Sequence, residues 1–308
     1  MCTAISLKSK SKEIFLGRTM DFSYDIMPKL YAMPESYIWN SSFNKTQIKD
    51  SYRFIGLGQE MDGILSFFDG VNEKGFAAAV LYFAGYAKYN AESTYNKSEQ
   101  IAAFDFLHYM LGSCSSVKDL PLLIKNISIL GIEDPLTHTV APLHWIAADK
   151  TGACAVIEST HRGLEIFNNP IGVMANSPDF NWHMTNLRNY MEVSPIQSEE
   201  AFWESVRLTP FGQAGGTVAL PGGFTSPERF VRSAYLKSHL PELKDSNEAI
   251  ISGFHVLESV TIPKGAVISS RNTYDYTKYT AMINISTCEY FFKFYDDLCV
   301  RISGLWLK

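Results

Sequence analysis

Polar and apolar positions change period several times along this chain, and each change predicts an element. Residues 2–7 (CTAISL) alternate loosely and predict a strand, with 13–20 (EIFLGRTM) as its hairpin partner across a solvated Lys/Ser turn. Further short strands are predicted at 31–40 and 52–58. The two glycines of 69–75 (DGVNEKG) predict a turn, and the apolar run 76–83 behind it a buried strand. Helical spacing follows at 100–111 and 117–127, with Ser116 as the N-cap of the second helix. Strands return at 144–149, 154–159 and 164–167, separated by D-K-T-G and H-R-G turns. The stretch 172–176 (GVMAN) stops abruptly before Ser177-Pro178, and 182–191 reads as a helix.

Residues 210–227 carry Gly212, Gly215, Gly216, Gly222 and Gly223, the composition of a long irregular loop kept for binding or assembly. A helix is predicted over 226–240, with Ser226 as N-cap and Pro227 at its first position. A second helix covers 247–260, and 279–295 reads as strand. The order is strands, two helices, strands, two helices, strands. That segregation predicts a layered α+β domain instead of alternating βαβ units. With no internal repeat and no low-complexity linker, one domain over 1–308 is expected.

Charge and composition narrow the function classes. There are 27 Lys plus Arg against 32 Asp plus Glu, a net charge of −5, with 46% hydrophobic and 19% charged residues. A mildly acidic chain without a basic block does not suit nucleic acid, which needs clustered cations along its phosphates. The most apolar stretch, 75–87 (GFAAAVLYFAGYA), is shorter than the ~20 residues that span a bilayer. Residues 6–12 (SLKSKSK) are polar where the apolar core of a signal peptide would sit, so a cytoplasmic protein is expected.

Five cysteines, none in a C-x-x-C spacing, and seven scattered histidines predict neither a disulfide framework nor a zinc site, and nothing calls for a cofactor. Cys2 differs from the others because it follows Met1. Once Met1 is removed, this residue carries a thiol and an α-amine whose pKa of about 7.7–8.0 suits a general base near neutral pH. Nucleophile and base then belong to one residue. If 2–7 and 13–20 form a hairpin, Arg18 and Asp21 return close to Cys2; Arg favours a thiolate by charge, and Asp accepts a hydrogen bond from the amine or thiol. Asn176, at a strand end, offers a side-chain amide to a developing oxyanion. Two rivals differ in kind: a Cys–His hydrolase built on Cys114 or Cys154 with His144, and a silent ligand-binding protein that keeps the fold.

These residues fall into a family pattern. Met1-Cys2-Thr3, G-R-T-M-D at 17–21, D-G-V-N-E-K-G at 69–75, L-Y-F-A-G-Y-A at 81–87, P-L-H-W at 142–145, G-V-M-A-N-S-P at 172–178, L-T-P-F-G-Q at 208–213 and S-P-E-R-F-V-R at 226–232 follow in order. Over nearly its whole length the chain resembles the choloylglycine hydrolase family of N-terminal nucleophile (Ntn) hydrolases, which holds penicillin V acylases and conjugated bile salt hydrolases. The resemblance implies a four-layer αββα sandwich and a non-peptide amide as substrate, cleaved without metal or cofactor. It places Cys2, Arg18, Asp21, Tyr82, Asn176 and Arg229 in the catalytic site, Tyr82 and Asn176 at the oxyanion hole, and Arg232 in a peripheral ion pair. It leaves the other four cysteines as core or surface thiols.

Tyr82 stands where bile salt hydrolases usually carry Asn and penicillin V acylases Tyr. An aromatic wall suits a flat phenoxyacetyl group, so the resemblance favours an acylase, penicillin V going to 6-aminopenicillanic acid and phenoxyacetate. Bile salt conjugates, N-acyl amino acids and acyl-homoserine lactones are the alternative substrates. It further implies a homotetramer assembled through 194–221, from Ser194 to Pro221, whose Gly-rich part can equally cover the pocket. No pro-segment beyond Met1 is expected to need removal.

Overall fold

The structure is a computed structural model that describes residues 1–90 and 99–306. The predicted hairpin is its centre. Strand β1 (Cys2–Lys8) pairs antiparallel with β2 (Ile14–Phe22), Cys2 facing Met20 and Ala4 facing Arg18. Six further strands enclose a second sheet: β3 (Lys29–Met33), β4 (Phe54–Met61), β5 (Ile64–Asn72), β6 (Phe76–Tyr82), β7 (Leu143–Asp149) and β8 (Cys154–Thr160), with β9 (Gly163–Asn168) at its edge. The order there is β9-β8-β7-β6-β5-β4-β3. The first sheet is completed by β10 (Val173–Met174), β11 (Tyr276–Asn284), β12 (Glu289–Phe294) and β13 (Asp297–Gly304), in the order β10-β1-β2-β11-β12-β13.

The sheets stack, and helices cover both outer faces. Helix α1 (Phe106–Ser113) lies on β5 and β6, and α2 (Leu120–Asn126) against β9. After α3 (Phe180–Asn186), helices α4 (Ser226–Ser238) and α5 (Ser246–Glu258) lie on β1, β2 and their neighbours. This is the expected αββα sandwich. Strand β6 explains the layering from its side chains: Ala77, Ala79 and Leu81 enter the core between the sheets, whereas Phe76 and Ala78 enter the core under α1.

Several elements differ from their predicted form. Residues 69–72 end strand β5, and only the stretch after them turns, with Gly75 at φ +77°. Gly70 is there for contact: a Cβ on it would lie 2.5 Å from Leu111 Cδ1 of α1. The helix predicted over 100–111 divides into a short strand (Glu99–Ala102) and α1. Ser116 caps a 3₁₀ turn (Val117–Asp119) that leads into α2. Helix α4 is capped by Thr225, not Ser226; Thr225 and Glu228 form a reciprocal capping box. The strand predicted over 279–295 is the hairpin β11–β12.

Candidate active site

The β1–β2 register sorts the site onto two faces. Side chains alternate along a strand, so Cys2, Ala4, Arg18 and Met20 project between the sheets, while Thr3, Thr19 and Asp21 project toward α4. Arg18 Nη2 donates to Cys2 Sγ at 2.9 Å. The same guanidinium donates through Nη1 to the Phe68 carbonyl at 2.8 Å and through Nε to the Thr19 carbonyl at 3.3 Å. Arg18 is 1% exposed. Burial alone would lower its pKa, yet Tyr279, Cys2, Asp69 and Asp21 around it outweigh burial and raise it, so it stays a cation.

On the other face Arg229 of α4 reaches through the hairpin. Its Nη1 donates to the Cys2 carbonyl at 2.6 Å and to Thr3 Oγ1 at 2.5 Å, Nη2 to Asn176 Oδ1 at 2.6 Å, and Nε to the Phe224 carbonyl at 3.0 Å. Asp21 Oδ2 lies 3.8 Å from it. Burial lowers the Arg229 pKa, and Asp21, Cys2 and Asp275 oppose that shift. The Asp21 carboxylate accepts from Thr19 and from Thr277 Oγ1 at 2.6 Å, so it is held away from the thiol. It is the Asp21 backbone carbonyl that faces the N-terminus, 2.5 Å from the Met1 amine and 3.9 Å from Cys2 Sγ. The expectation that the Asp21 side chain would meet the thiol is corrected accordingly.

Asn176 follows β10, which pairs with β1. Its Oδ1 accepts from the Cys2 N–H at 2.8 Å and its Nδ2 donates to the Tyr82 carbonyl at 2.7 Å, leaving one amide hydrogen. Leu143 N–H turns to Tyr89 Oη and Phe83 N–H takes the Pro142 carbonyl, so Tyr82 is the skipped position of the β6–β7 ladder. Both Tyr82 backbone groups therefore face the Asn176 side. The Tyr82 ring is half-buried, packs on Phe22 at 5.7 Å and walls a cavity that Cys2 also lines. That cavity has a volume of about 60 Å³, and its walls include Met20, Phe22, Phe68, Leu136 and Leu143.

The other five expected residues thus gather around Cys2. The family model of the linear amide C–N hydrolases, choloylglycine hydrolase family, matches residues 2–306. The chain belongs to this family. It is a hydrolase of carbon–nitrogen bonds in linear amides, with the Ntn-hydrolase fold. This choloylglycine hydrolase family member is 31% identical over 311 residues to the conjugated bile acid hydrolase of Lactobacillus gasseri, an alignment covering 99% of this chain and 96% of that one. The crystal structure of the C2A mutant of the conjugated bile acid hydrolase from Clostridium perfringens matches with a TM-score of 0.92 at 31% identity, covering 99% of this chain and 92% of that one. The penicillin V acylase of Pectobacterium atrosepticum is 22% identical, over 90% of this chain and 73% of that one. The preference for an acylase drawn from Tyr82 is therefore reversed: whole-chain similarity favours the bile salt hydrolase branch.

Other expectations resolve locally. Arg232 forms no ion pair among the described residues; its guanidinium donates to the carbonyls of Ser259, Pro221 and Gly223, tying the loop before α4 to the end of α5. Cys114 and Cys154 are buried thiols pushed up to about 12, chiefly by burial, and His144 Nδ1 faces Glu158, so neither cysteine has a base. Thr3, Thr19, Thr277, His183 and Asp69 were missed as members of the site's surroundings. Thr3, Thr19 and Asp69 stood in segments with a signal, Met1-Cys2-Thr3, G-R-T-M-D and D-G-V-N-E-K-G; His183, which donates through Nε2 to the Asn176 carbonyl at 2.8 Å, lay in an unmarked helix.

Proposed function

We propose that this enzyme cleaves the amide between a steroid acid and an amino acid, as in glycine or taurine conjugates of bile acids. The observation that carries the reading is the Cys2 thiol, paired with Arg18, lining an apolar cavity in a chain similar along its length to conjugated bile acid hydrolases. Removal of Met1 frees the Cys2 amine beside Asn176 Oδ1. The thiolate attacks the amide carbonyl, and the Tyr82 N–H and the remaining Asn176 amide hydrogen receive the oxyanion. The α-amine carries the thiol proton to the departing amine, then takes one from water as the thioester is hydrolysed. Arg229 and Asp21 fix the Cys2 backbone and Asn176 without meeting the substrate.

A second reading is favoured by one observation. The Tyr82 ring, packed on Phe22, narrows the cavity with a flat apolar wall suited to the phenoxyacetyl group of penicillin V. N-acyl amino acids and acyl-homoserine lactones share the same scissile bond. Side-by-side kcat/KM values for glycocholate and penicillin V, measured on Met1-free protein, decide between them. We expect glycocholate to lead by about tenfold or more, some 1.4 kcal/mol in transition-state binding; the opposite ratio returns the acylase reading.

The proposal extends to the whole chain. It is one domain over 1–308, of which 91–98 and 307–308 lie outside the described residues, and it works in the cytoplasm. Five free cysteines suit a reducing compartment. Residues 194–221 are the assembly arm of a homotetramer: Ile196, Phe202, Trp203, Phe211 and Val218 are all exposed there, an apolar density unusual for a monomer surface.

A further inference from the structure

The segment D-G-V-N-E-K-G has one member whose chemistry the proposed mechanism does not use. Asp69, on β5, is fully buried and points out of the second sheet into the first. Its Oδ2 lies 3.5 Å from Arg18 Nη1 and accepts a hydrogen bond from the Tyr279 hydroxyl; its Oδ1 accepts from the Tyr290 hydroxyl at 2.7 Å. Tyr279 comes from β11 and Tyr290 from β12, so two tyrosines and an arginine of one sheet converge on a single carboxylate of the other. Every one of these contacts brings a hydrogen to Asp69 and none requires one from it, the donor set of an ionised carboxylate. Burial pushes the Asp69 carboxyl up, while Arg18, both tyrosine hydroxyls and the Leu57 N–H draw it back. Burial and the Asp69 charge push both tyrosines far above their ordinary range, so they remain donors. The Tyr279 ring also lies under the guanidinium, 5.7 Å from Arg18 Cζ.

We propose that Asp69 is a positioning residue for the nucleophile: it clamps Arg18 from the opposite sheet, with Tyr279 and Tyr290 holding the carboxylate, so that Arg18 stays on the Cys2 sulfur. A cation with 1% exposure needs an anion to offset its desolvation, and the Phe68 and Thr19 carbonyls are only dipoles. Asp21, the other carboxylate nearby, leaves from the opposite face of β2 and serves Thr19, Thr277 and Arg229. Asp69 therefore decides where the guanidinium sits. The thiol it serves is reached only through Arg18, across the contact of 2.9 Å. The two sheets are thereby joined by charge at the depth of the nucleophile.

The inference rests on Cys2 being the nucleophile and is independent of the substrate. Its test is the rate of iodoacetamide alkylation of Cys2, followed by peptide mass spectrometry, with kcat and KM for a cleaved amide, in D69N, R18M, the double variant and Y290F. An asparagine at 69 turns an amide donor toward Arg18 or a tyrosine, and the guanidinium leaves the sulfur. We expect D69N to alkylate about tenfold more slowly or worse, and the double variant no more slowly than R18M, because both changes break one linkage. The double variant also removes both charges, so it keeps the measurement available if D69N folds poorly. Y290F, remote from substrate, should lower kcat several-fold with KM within about twofold. The proposal is overturned if D69N alkylates at or above the wild-type rate, if the double variant shows the product of the single effects, or if Y290F loses thermal stability but keeps its kcat. Turnover by Cys2→Ala would instead remove the nucleophile reading beneath it, which the alkylation rates do not depend on.

Discussion

The Cys2 nitrogen is a peptide N–H as long as Met1 precedes it, and a peptide nitrogen has no basic lone pair. In that form it is already bonded to Asn176 Oδ1 at 2.8 Å, and the Met1 amine rests on the Asp21 carbonyl, 3.6 Å from Asp275. The thiol and its Arg18 contact are in place; the base is not. Protein with an uncleavable residue ahead of Cys2 should therefore keep alkylatable Cys2 while turnover falls by about 10²–10⁴, the usual contribution of general acid–base catalysis. Intact mass spectrometry verifies the N-terminus, and full turnover with Met1 retained would sink the mechanism. Cys2→Ser should be nearly inactive even when correctly processed, since a hydroxyl is a far weaker nucleophile. At this scale Cys2, Arg18 and Asp21 were legible because a hairpin brings them together by local spacing. Asp69 and His183 were not, since their partners lie 51 and 7 positions away along the chain and meet them only through packing of a second sheet and a helix.

Elements were legible where their period was unbroken and obscure where packing used turn-type residues. Strand β5 was read in part as a turn because Gly70 resembles a turn glycine, although it exists to let α1 approach. The segment 194–221 was expected to be an assembly loop, with no strand predicted in it, and the structure gives it a small hairpin, Ala201–Trp203 with Val206–Leu208, whose residues are all exposed. An exposed two-stranded hairpin carrying Phe202 and Trp203 has little of its own to bury against. If it is the assembly arm, Phe202→Glu with Trp203→Glu should convert a tetramer to smaller species in light scattering, with kcat on the same amide preserved. An unchanged mass for both proteins removes the assembly role from this hairpin.

Over the whole molecule, the buried cluster His144, Glu158 and His183 sets a pH dependence that no single strand predicts. Burial lowers His144 from 6.5 to about 3 and His183 from 6.5 to about 4, and it raises Glu158 from 4.5 to about 8. Below 6.5 the unfolded chain takes up protons that the folded histidines refuse, so their stability contribution is lost as pH falls toward 4 and then 3. Between 4.5 and 8 the folded Glu158 keeps a proton that the unfolded chain has released, so its contribution is lost as pH rises through that window. Each group changes stability by about 1.4 kcal/mol per pH unit inside its window, and the cluster's optimum falls near pH 6.5. Urea unfolding at several pH values should show Glu158→Gln losing the decline between pH 6.5 and 8, because the amide still accepts from the Phe180 N–H but does not ionise. A decline identical to wild type would discard this assignment.

The amino-acid order by itself determined the α+β layering, the hairpin that places Arg18 opposite the start of β1, and a cysteine able to carry both thiol and base. Those features depend on local period, turn chemistry and position, all of which act over a few residues. Only the tertiary structure decided which Asp21 group faces the N-terminus, how Asn176 divides its amide between Cys2 and Tyr82, and what holds Arg18 on the sulfur. Those outcomes depend on which side chains two stacked sheets and a helix bring within hydrogen-bond distance. A buried charge is then satisfied by whichever partner the packing supplies, and that choice is not written into the spacing of any one segment.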